Sequence, residues 1–275
     1  MPHELLDAYQ NLSEEEKILF DRHNTAELMS QFLHGEQGAL LVASQLASCA
    51  PTYNAKLYAA SQTFDEARHV EVFNKYLQDK IGIHYPINPS LKLLLDKILT
   101  DERWDLKFIG MQIIIEGLAL AAFERQRAAA MDPLLKDLFY LVIRDEARHV
   151  TFGVNYLEEF VQTLSEEERE DRAEFAYEAC VVMRNRFGSD NVMKHYGWNV
   201  EEAQQVLNQS ETSRLFNNLL FSKIMPNLKR IGLLTEKTQE KYEEMDILQF
   251  KDLEDNGAID WDELSQPLDY STKTA

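Results

Sequence analysis

The sequence predicts an all-α fold built as a bundle of long helices, and three observations carry that expectation. Turn formers are scarce, with 10 Gly and 7 Pro in 275 residues, which favours long helices over many short strands. No strand-like alternation of useful length occurs, while apolar residues recur at helical spacing. Four uninterrupted stretches of roughly 25 residues or more read as helix, enough for a bundle.

Each element has a local cause. Ser13 and Glu16 form a capping-box pattern that opens a helix over about 14–49. Ala50-Pro51-Thr52 ends it, because proline breaks a helix and restricts the residue before it. A second helix is expected over about 54–80. The loop 81–90 follows, with Gly82, Pro86 and Pro89, then a short helix over 91–100. A third long helix spans about 102–129 and stops before Met131-Asp132-Pro133; a fourth spans about 134–163. Ser165 and Glu168 repeat the capping box and open a helix reaching about Phe187-Gly188. Further helices are expected over 200–208, 211–231 (interrupted or kinked at Pro226) and 236–246. Residues 1–235 read as one helical domain. Residues 236–275 read as a short helix and an acidic irregular tail laid over the surface through Trp261.

Charge narrows the function. With 28 Lys+Arg against 47 Asp+Glu, the net charge is −19. No basic surplus exists to neutralise nucleic-acid phosphates or to dock on an anionic membrane. The longest nearly apolar run, Phe108 to Phe123, contains Gln112 and Glu116 and reads as too short and too polar to span a bilayer. No signal-peptide pattern opens the chain, and Cys49 and Cys180 make no disulfide framework; both are expected to be buried and inert. These features predict a cytoplasmic, reduced, soluble protein.

An internal repeat carries the chemistry. Asp-Glu-Ala-Arg-His-Val occupies 65–70 and again 145–150. At the same offset of 80, Tyr76-Leu77 matches Tyr156-Leu157, Glu36 matches Glu116, and Ala39-Leu40 matches Ala119-Leu120. The chain thus contains two copies of one helical hairpin. Each copy holds a Glu and, thirty residues later, Glu-x-x-His. Positions i and i+3 share a helix face, so Glu66 pairs with His69 and Glu146 with His149. The midpoints of the two thirty-residue gaps are Pro51 and Met131, the turns already inferred. An antiparallel hairpin then sets Glu36 level with Glu66, and Glu116 level with Glu146.

Glu36, Glu116 and Glu146 lie on apolar faces, and the face of Glu66 is less clean, with Gln62 and Thr63 beside Ala59, Val70 and Phe73; on such faces a lone ionised carboxylate costs several kcal/mol. Four together require positive charge that two histidines cannot supply and two divalent cations can. Four Glu with two His form a hard, oxygen-rich donor set suited to iron or manganese. In this reading Glu66 and Glu146 bridge the metals, Glu36 and His69 complete one site, and Glu116 and His149 complete the other.

These residues resemble the ferritin-like di-iron carboxylate superfamily over about residues 25–160. The likeness is to its oxygen-activating members: monooxygenase hydroxylases, aldehyde-deformylating oxygenases, arylamine N-oxygenases and the ribonucleotide reductase small subunit. Gly-Glu-Gln-Gly-Ala-Leu around Glu36 is similar to the deformylating oxygenases, and Asp-Glu-Ala-Arg-His to the hydroxylases. The resemblance implies a ferritin-like four-helix bundle with additional C-terminal helices. It implies that Asp65 and Asp145 accept from the metal-bound imidazoles, and that Arg68 and Arg148 pair with carboxylates near the site. Departures narrow the field: Phe73 stands where the reductase carries its radical tyrosine, and Leu120 where hydroxylases carry a threonine. Ile113 and Ala119 flank Glu116 where rubrerythrin-like proteins add a glutamate. Val142 stands where some arylamine N-oxygenases add a third histidine.

Gln112 shares a face with Glu116 and is expected either to bond a ligand carboxylate or to touch substrate. Phe73, Ile113, Leu120, Phe123 and Gly153 sit beside the ligands, either as core or as the lining of a substrate cavity. His34 and His84 read as surface or loop residues, and His195 as structural. The implied activity is O2-dependent oxidation of a small, apolar or aromatic organic substrate at two Fe ions, with Mn/Fe as an alternative. Hydroxylation, N-oxygenation and oxidative C–C cleavage all fit, through a peroxo or high-valent intermediate. An external electron donor, a ferredoxin or flavin reductase, is implied, and a homodimer is compatible with paired long helices. Two other readings stand beside it: a ferroxidase or peroxide-scavenging iron protein, and a non-catalytic bundle stabilised by metal.

Overall fold

A computed structural model describes residues 3–184, 189–258 and 266. Among the described residues there are helices, turns and loops and no strand. Helix α1 (Glu14–Cys49) opens on the expected capping box, with Ser13 and Glu16 bonded reciprocally. Thr52 caps α2 (Tyr53–Tyr76), whose end widens into a π turn over Leu77–Ile81. Asn88 caps α3 (Pro89–Thr100). Helix α4 runs Trp104–Ala129 and contains a π segment, Ile109–Ile115, immediately before Glu116. Asp132 accepts from Leu134 N to cap α5 (Pro133–Val161), and α6 covers Glu166–Arg184. The expected extension of α6 to 187–188 lies outside the described residues.

The chain reverses at 50–52 and at 130–132, where the repeat required it. α1 packs along α2, and α4 along α5, and the two hairpins face each other through α2 against α5. α6 covers α3 and the π segment of α4. The expected helix over 211–231 is three pieces: α9 (Glu211–Leu219), a tight turn Leu220–Lys223, and α10 (Met225–Arg230) with Pro226 in its first turn. Before them lie two more, α7 (Asp190–His195) and α8 (Val200–Gln209). The first of these lacked the length for a sequence signal. After them comes α11 (Glu236–Glu244). The acidic segment that follows is tied down as far as Asp255, which takes Arg230 at 2.6 Å. The expected contact of Trp261 lies outside the described residues.

Two expectations need correction. The apolar run Phe108–Phe123 is expected to be too short and too polar to span a bilayer, but the helix that holds it, α4, is 26 residues long and passes as a membrane span by length and composition. Its most apolar window is 83% buried inside the protein, which accounts for that composition. Cys49 is exposed rather than buried, because it lies at the end of α1 beside the turn, while Cys180 is buried.

Candidate metal centre

The hairpins bring all six repeat residues to one buried place midway along the bundle. One donor atom from each of Glu36, Glu66, His69 and Glu146 lies within 4.8 Å of the others. The same holds for Glu66, Glu116, Glu146 and His149. Glu66 and Glu146 belong to both sets, so the two groups interlock. All six side chains are buried. His69 turns Nδ1 inward, 3.2 Å from Glu36, 3.3 Å from Glu66 and 3.0 Å from Glu146. His149 turns Nδ1 toward Glu66 at 3.2 Å and Glu146 at 3.4 Å.

The outward ring nitrogens cross between the hairpins. His69 Nε2 meets Asp145 at 3.2 Å, and His149 Nε2 meets Asp65 at 3.4 Å. Each aspartate therefore orients the imidazole of the other repeat. Arg68 and Arg148 bind both aspartates, closing a four-residue ring of ion pairs over the histidines. Burial opposes the charge on Asp65, but His149, Arg68 and Arg148 outweigh it and hold its carboxyl down at about 2.

The electrostatics ask for cations. Burial, then the charge of Glu146, pushes Glu36 and Glu116 well above the usual carboxylate range. Burial opposes charge on Glu146 too, but bonds from Glu116 and His149 hold it well below that range. The surrounding carboxylates override burial at His69, which is raised, and at His149, pushed up to about 10. One oxygen each of Glu66 and Glu146 has no hydrogen-bond partner, although both lie near His69 Nδ1. A single ring hydrogen serves one acceptor well, and Glu36 competes for it. Without metal the set balances only by keeping Glu36 and Glu116 protonated against two imidazolium ions; four ionised carboxylates would leave two negative charges unbalanced. Two divalent cations bring the set with neutral imidazoles to zero and occupy the orphaned oxygens. The donor set therefore fits a dinuclear metal site.

A residue that sequence reasoning noted only as a polar neighbour proves central. Gln62 Nε2 donates to Glu66 at 3.0 Å and to Glu116 at 3.1 Å. Gln112 donates to Gln62 Oε1, so it reaches the carboxylates through Gln62 and not directly. The signal for Gln62 was its place one turn before Glu66, on the same face. Gly153 is needed for this contact, since a Cβ there would lie 2.4 Å from Gln112 Cβ.

Of the residues expected as core or cavity lining, Phe123 lines a small cavity of about 20 Å3 with Glu36 and Glu116. Phe73, Ile113 and Leu120 are buried in the core and line none of the cavities described. Phe73 joins an aromatic cluster with Phe32, Phe123 and Phe139. His34 bonds the Tyr85 carbonyl at 3.0 Å, His84 is exposed, and His195 lies tilted against His23 with centroids 4.4 Å apart.

A helical bundle holding two interlocked Glu/His sets between paired hairpins defines a carboxylate metalloprotein of the ferritin-like class. The family model for the p-aminobenzoate N-oxygenase AurF matches residues 6–232, and the chain belongs to that family. Its members are di-iron oxygenases, so the chain is an oxidoreductase of that type. No curated protein matches the chain. Val142, which departs from the third histidine of some arylamine N-oxygenases, does not separate the chain from this family.

Proposed function

We propose that this protein is an O2-dependent oxygenase that uses two iron ions to oxidise a small, apolar or aromatic organic substrate, with N-oxygenation the favoured outcome. The observation that carries the reading is the pair of interlocked, buried donor sets beside a cavity walled by Glu36, Glu116 and Phe123, together with the family match. Glu66 and Glu146 would bridge the irons. Glu36 and His69 would complete one site, Glu116 and His149 the other. Manganese in one position suits the same ligands. Bound iron supplies the reduction of O2, with electrons delivered from outside by a ferredoxin or flavin reductase.

The remaining roles belong to side chains. Asp145 and Asp65 hold the imidazoles by their outer nitrogens and fix ring orientation. Gln62 holds Glu66 and Glu116 in place by donating to both. Phe32, Phe73, Phe123 and Phe139 are buried and give one end of the site an apolar, narrow wall. The cavity at Glu36 and Glu116, at about 20 Å3, has room for a molecule the size of water or O2.

The test is anaerobic Fe(II) loading, metal analysis, and rapid mixing with O2 under optical and Mössbauer observation. Two irons per chain and a slow spectral change that added arylamines accelerate support the oxygenase. Rapid conversion to a ferric product, indifferent to any amine, overturns it in favour of a ferroxidase. Failure to load iron stoichiometrically overturns the ligand assignment.

A further inference from the structure

Three buried polar atoms without hydrogen-bond partners collect around one cavity. They are His3 Nε2, Asn24 Oδ1 and Glu27 Oε2. Glu27 is only 4% exposed and His3 9%. The cavity holds about 420 Å3 and lies between α1 and α4. A buried carboxylate oxygen with no donor is costly, so this one calls for an explanation. Its other oxygen accepts from Asn191 at 2.8 Å. Gln31, also in the wall, is already satisfied by Pro86 O and Asn88 N.

The cavity has two ends. Beyond Glu27 its wall turns apolar, through Leu28, Phe32, Leu118, Ala119 and Ala122. Phe32 and Ala119 also wall the small cavity that reaches Glu36 and Glu116. On α1 Asn24, Leu28, Gln31, Phe32 and Gly35 recur every three or four residues as one stripe, with Glu27 on one edge of it and Glu36, two and a half turns further on, on the opposite edge. Glu27 and Glu36 are nine residues apart on one unbroken helix, which sets them about 13 Å apart along its axis. At Gly35 an added Cβ would meet nothing within 4 Å, so the stripe stays open where it reaches the metal ligands.

The geometry points to this corridor as the substrate channel, with Glu27, Asn24 and His3 reading a hydrogen-bond-donating head, an amine or a hydroxyl distinct from the group oxidised at the metals, at the far end of an elongated apolar substrate. The proposal rests on the oxygenase reading and specifies its substrate class. Glu27 Oε2 and Asn24 Oδ1 are acceptors, so the missing partner is a donor. Burial, followed by the N-terminal charge, holds His3 down at about 4, so its ring is neutral at working pH and adds no cation to repel an ammonium group. Burial raises Glu27 to about 7 in spite of Asn191, as expected of a carboxylate waiting for its counterpart. At Glu27 Oε2 and Asn24 Oδ1 a carboxylate head would meet acceptors only; the donors Thr25, Arg125, Gln126 and Ser189 lie elsewhere in the wall. Arg125, which also lines the cavity, has an interaction of its own.

The axial rise of about 13 Å is the least that a substrate touching both ends must span. A single ring bearing its head directly would leave either Glu27 or the metal ligands uncontacted. A substrate that satisfies both has an apolar body of roughly two ring-lengths, or one ring with a short chain.

The test uses isothermal titration of the iron-loaded protein, kept anaerobic, with three probes: 4-phenylbutylamine, 4-phenylbutanoate and benzylamine. The long amine should bind about tenfold or more tighter than the long acid, the size expected for hydrogen bonds to a charged group. It should also bind tighter than benzylamine. Glu27→Gln should erase the preference for amine over acid, and Asn24→Ala should reduce it. Ala119→Phe, at the neck, should weaken both long probes together. Equal binding of acid and amine, or a preference that survives Glu27→Gln, overturns the proposal. The wild-type comparison decides even if a variant does not fold. Binding needs no O2, so Glu27-dependent binding without oxygenation would sink the oxygenase reading and leave the corridor standing. Oxygenation that ignores Glu27 would do the reverse.

Discussion

At one end of the metal site Phe32 and Phe73 of the first hairpin pack against Phe123 and Phe139 of the second, with ring centroids 4.7 to 6.1 Å apart. Moved by the repeat offset of 80, these four positions become Gln112, Gly153, Ala43 and Ala59. The two hairpins supply identical donor residues, yet their surroundings are unlike. One end is narrowed by aromatic rings, and the other carries the Gln112–Gln62 pair, through which Gln62 bonds Glu66 and Glu116. Val142 stands opposite Gln62 in the repeat, so the polar contact exists once only. Duplication explains the symmetric ligand set. The chemistry that distinguishes the two metal positions must come from what is not repeated, namely an amide network at one end and a cavity leading out past Phe32 at the other.

The shared carboxylates offer the largest effect by which to break this comparison. Glu66→Ala or Glu146→Ala should abolish binding of both metals, since each belongs to both donor sets. Glu36→Ala and Glu116→Ala should each leave one metal per chain. Metal analysis of purified protein decides it; equal losses in all four variants would mean the two sites are not built as a bridged pair. The metal-free chain should respond in the opposite sense. Burial and neighbouring carboxylates push Glu116 well above its ordinary range, so Glu116→Gln should raise the melting temperature of apo-protein while lowering that of loaded protein.

A second, smaller effect sharpens the comparison by crossing it. Asp65 sits in the first repeat but holds His149 of the second, and Asp145 holds His69. Asp65→Asn should therefore weaken the metal position built on Glu116 and His149, and Asp145→Asn the one built on Glu36 and His69. Partners of this kind are worth about 10- to 100-fold in metal affinity. Competition with a chelator, read position by position through Mössbauer parameters, would show the crossing. A loss confined to the mutated repeat would refute it.

Most of this site was legible before any coordinates, and the reason is periodicity. Two identical hexapeptides, an upstream Glu thirty residues before each, and turns at both midpoints leave one way to pair the helices. That reasoning reaches what a helix repeats. It does not reach what a helix does irregularly. The π segment Ile109–Ile115 was invisible because a single extra residue per turn leaves no composition signal in an all-apolar run. The crossing of Asp65 and Asp145 depends on how the hairpins face each other, which no within-repeat spacing encodes. Gln62 was visible as a flaw in an apolar face, and its partner Glu116 lies 54 residues away on another helix. Phe73 and Leu120 could be placed beside the ligands, but whether a side chain beside a metal lines a void or fills it is decided by packing.

The smallest effect compares one buried charge at each end. Glu27 and Lys107 occupy equivalent positions of the repeat, and both are buried. Lys107 Nζ donates to Gln45 at 2.7 Å, Ile98 O at 2.8 Å and Leu99 O at 3.1 Å. Glu27 leaves one oxygen without a partner. Burial raises Glu27 from 4.5 to about 7 in the folded protein. Below pH 4.5 both folded and unfolded chains hold this proton, and the group is neutral to stability. Between pH 4.5 and 7 the unfolded chain releases it and the folded chain keeps it, so a penalty develops. Above pH 7 the penalty is constant, about 1–3 kcal/mol in size. Glu27→Gln should therefore stabilise the substrate-free protein at pH 8 and do nothing at pH 4. Lys107→Met should destabilise it by about 1–3 kcal/mol at pH 8, because one buried and two part-buried acceptors lose their donor. Denaturant melts of both variants at the two pH values separate the cases. A carboxylate kept at a stability cost belongs to a binding site, and a lysine with every hydrogen bond made belongs to the scaffold. If Glu27→Gln destabilises at pH 8, the orphaned oxygen is satisfied in solution, and the difference between the two ends shrinks to the aromatic cluster and the amide pair.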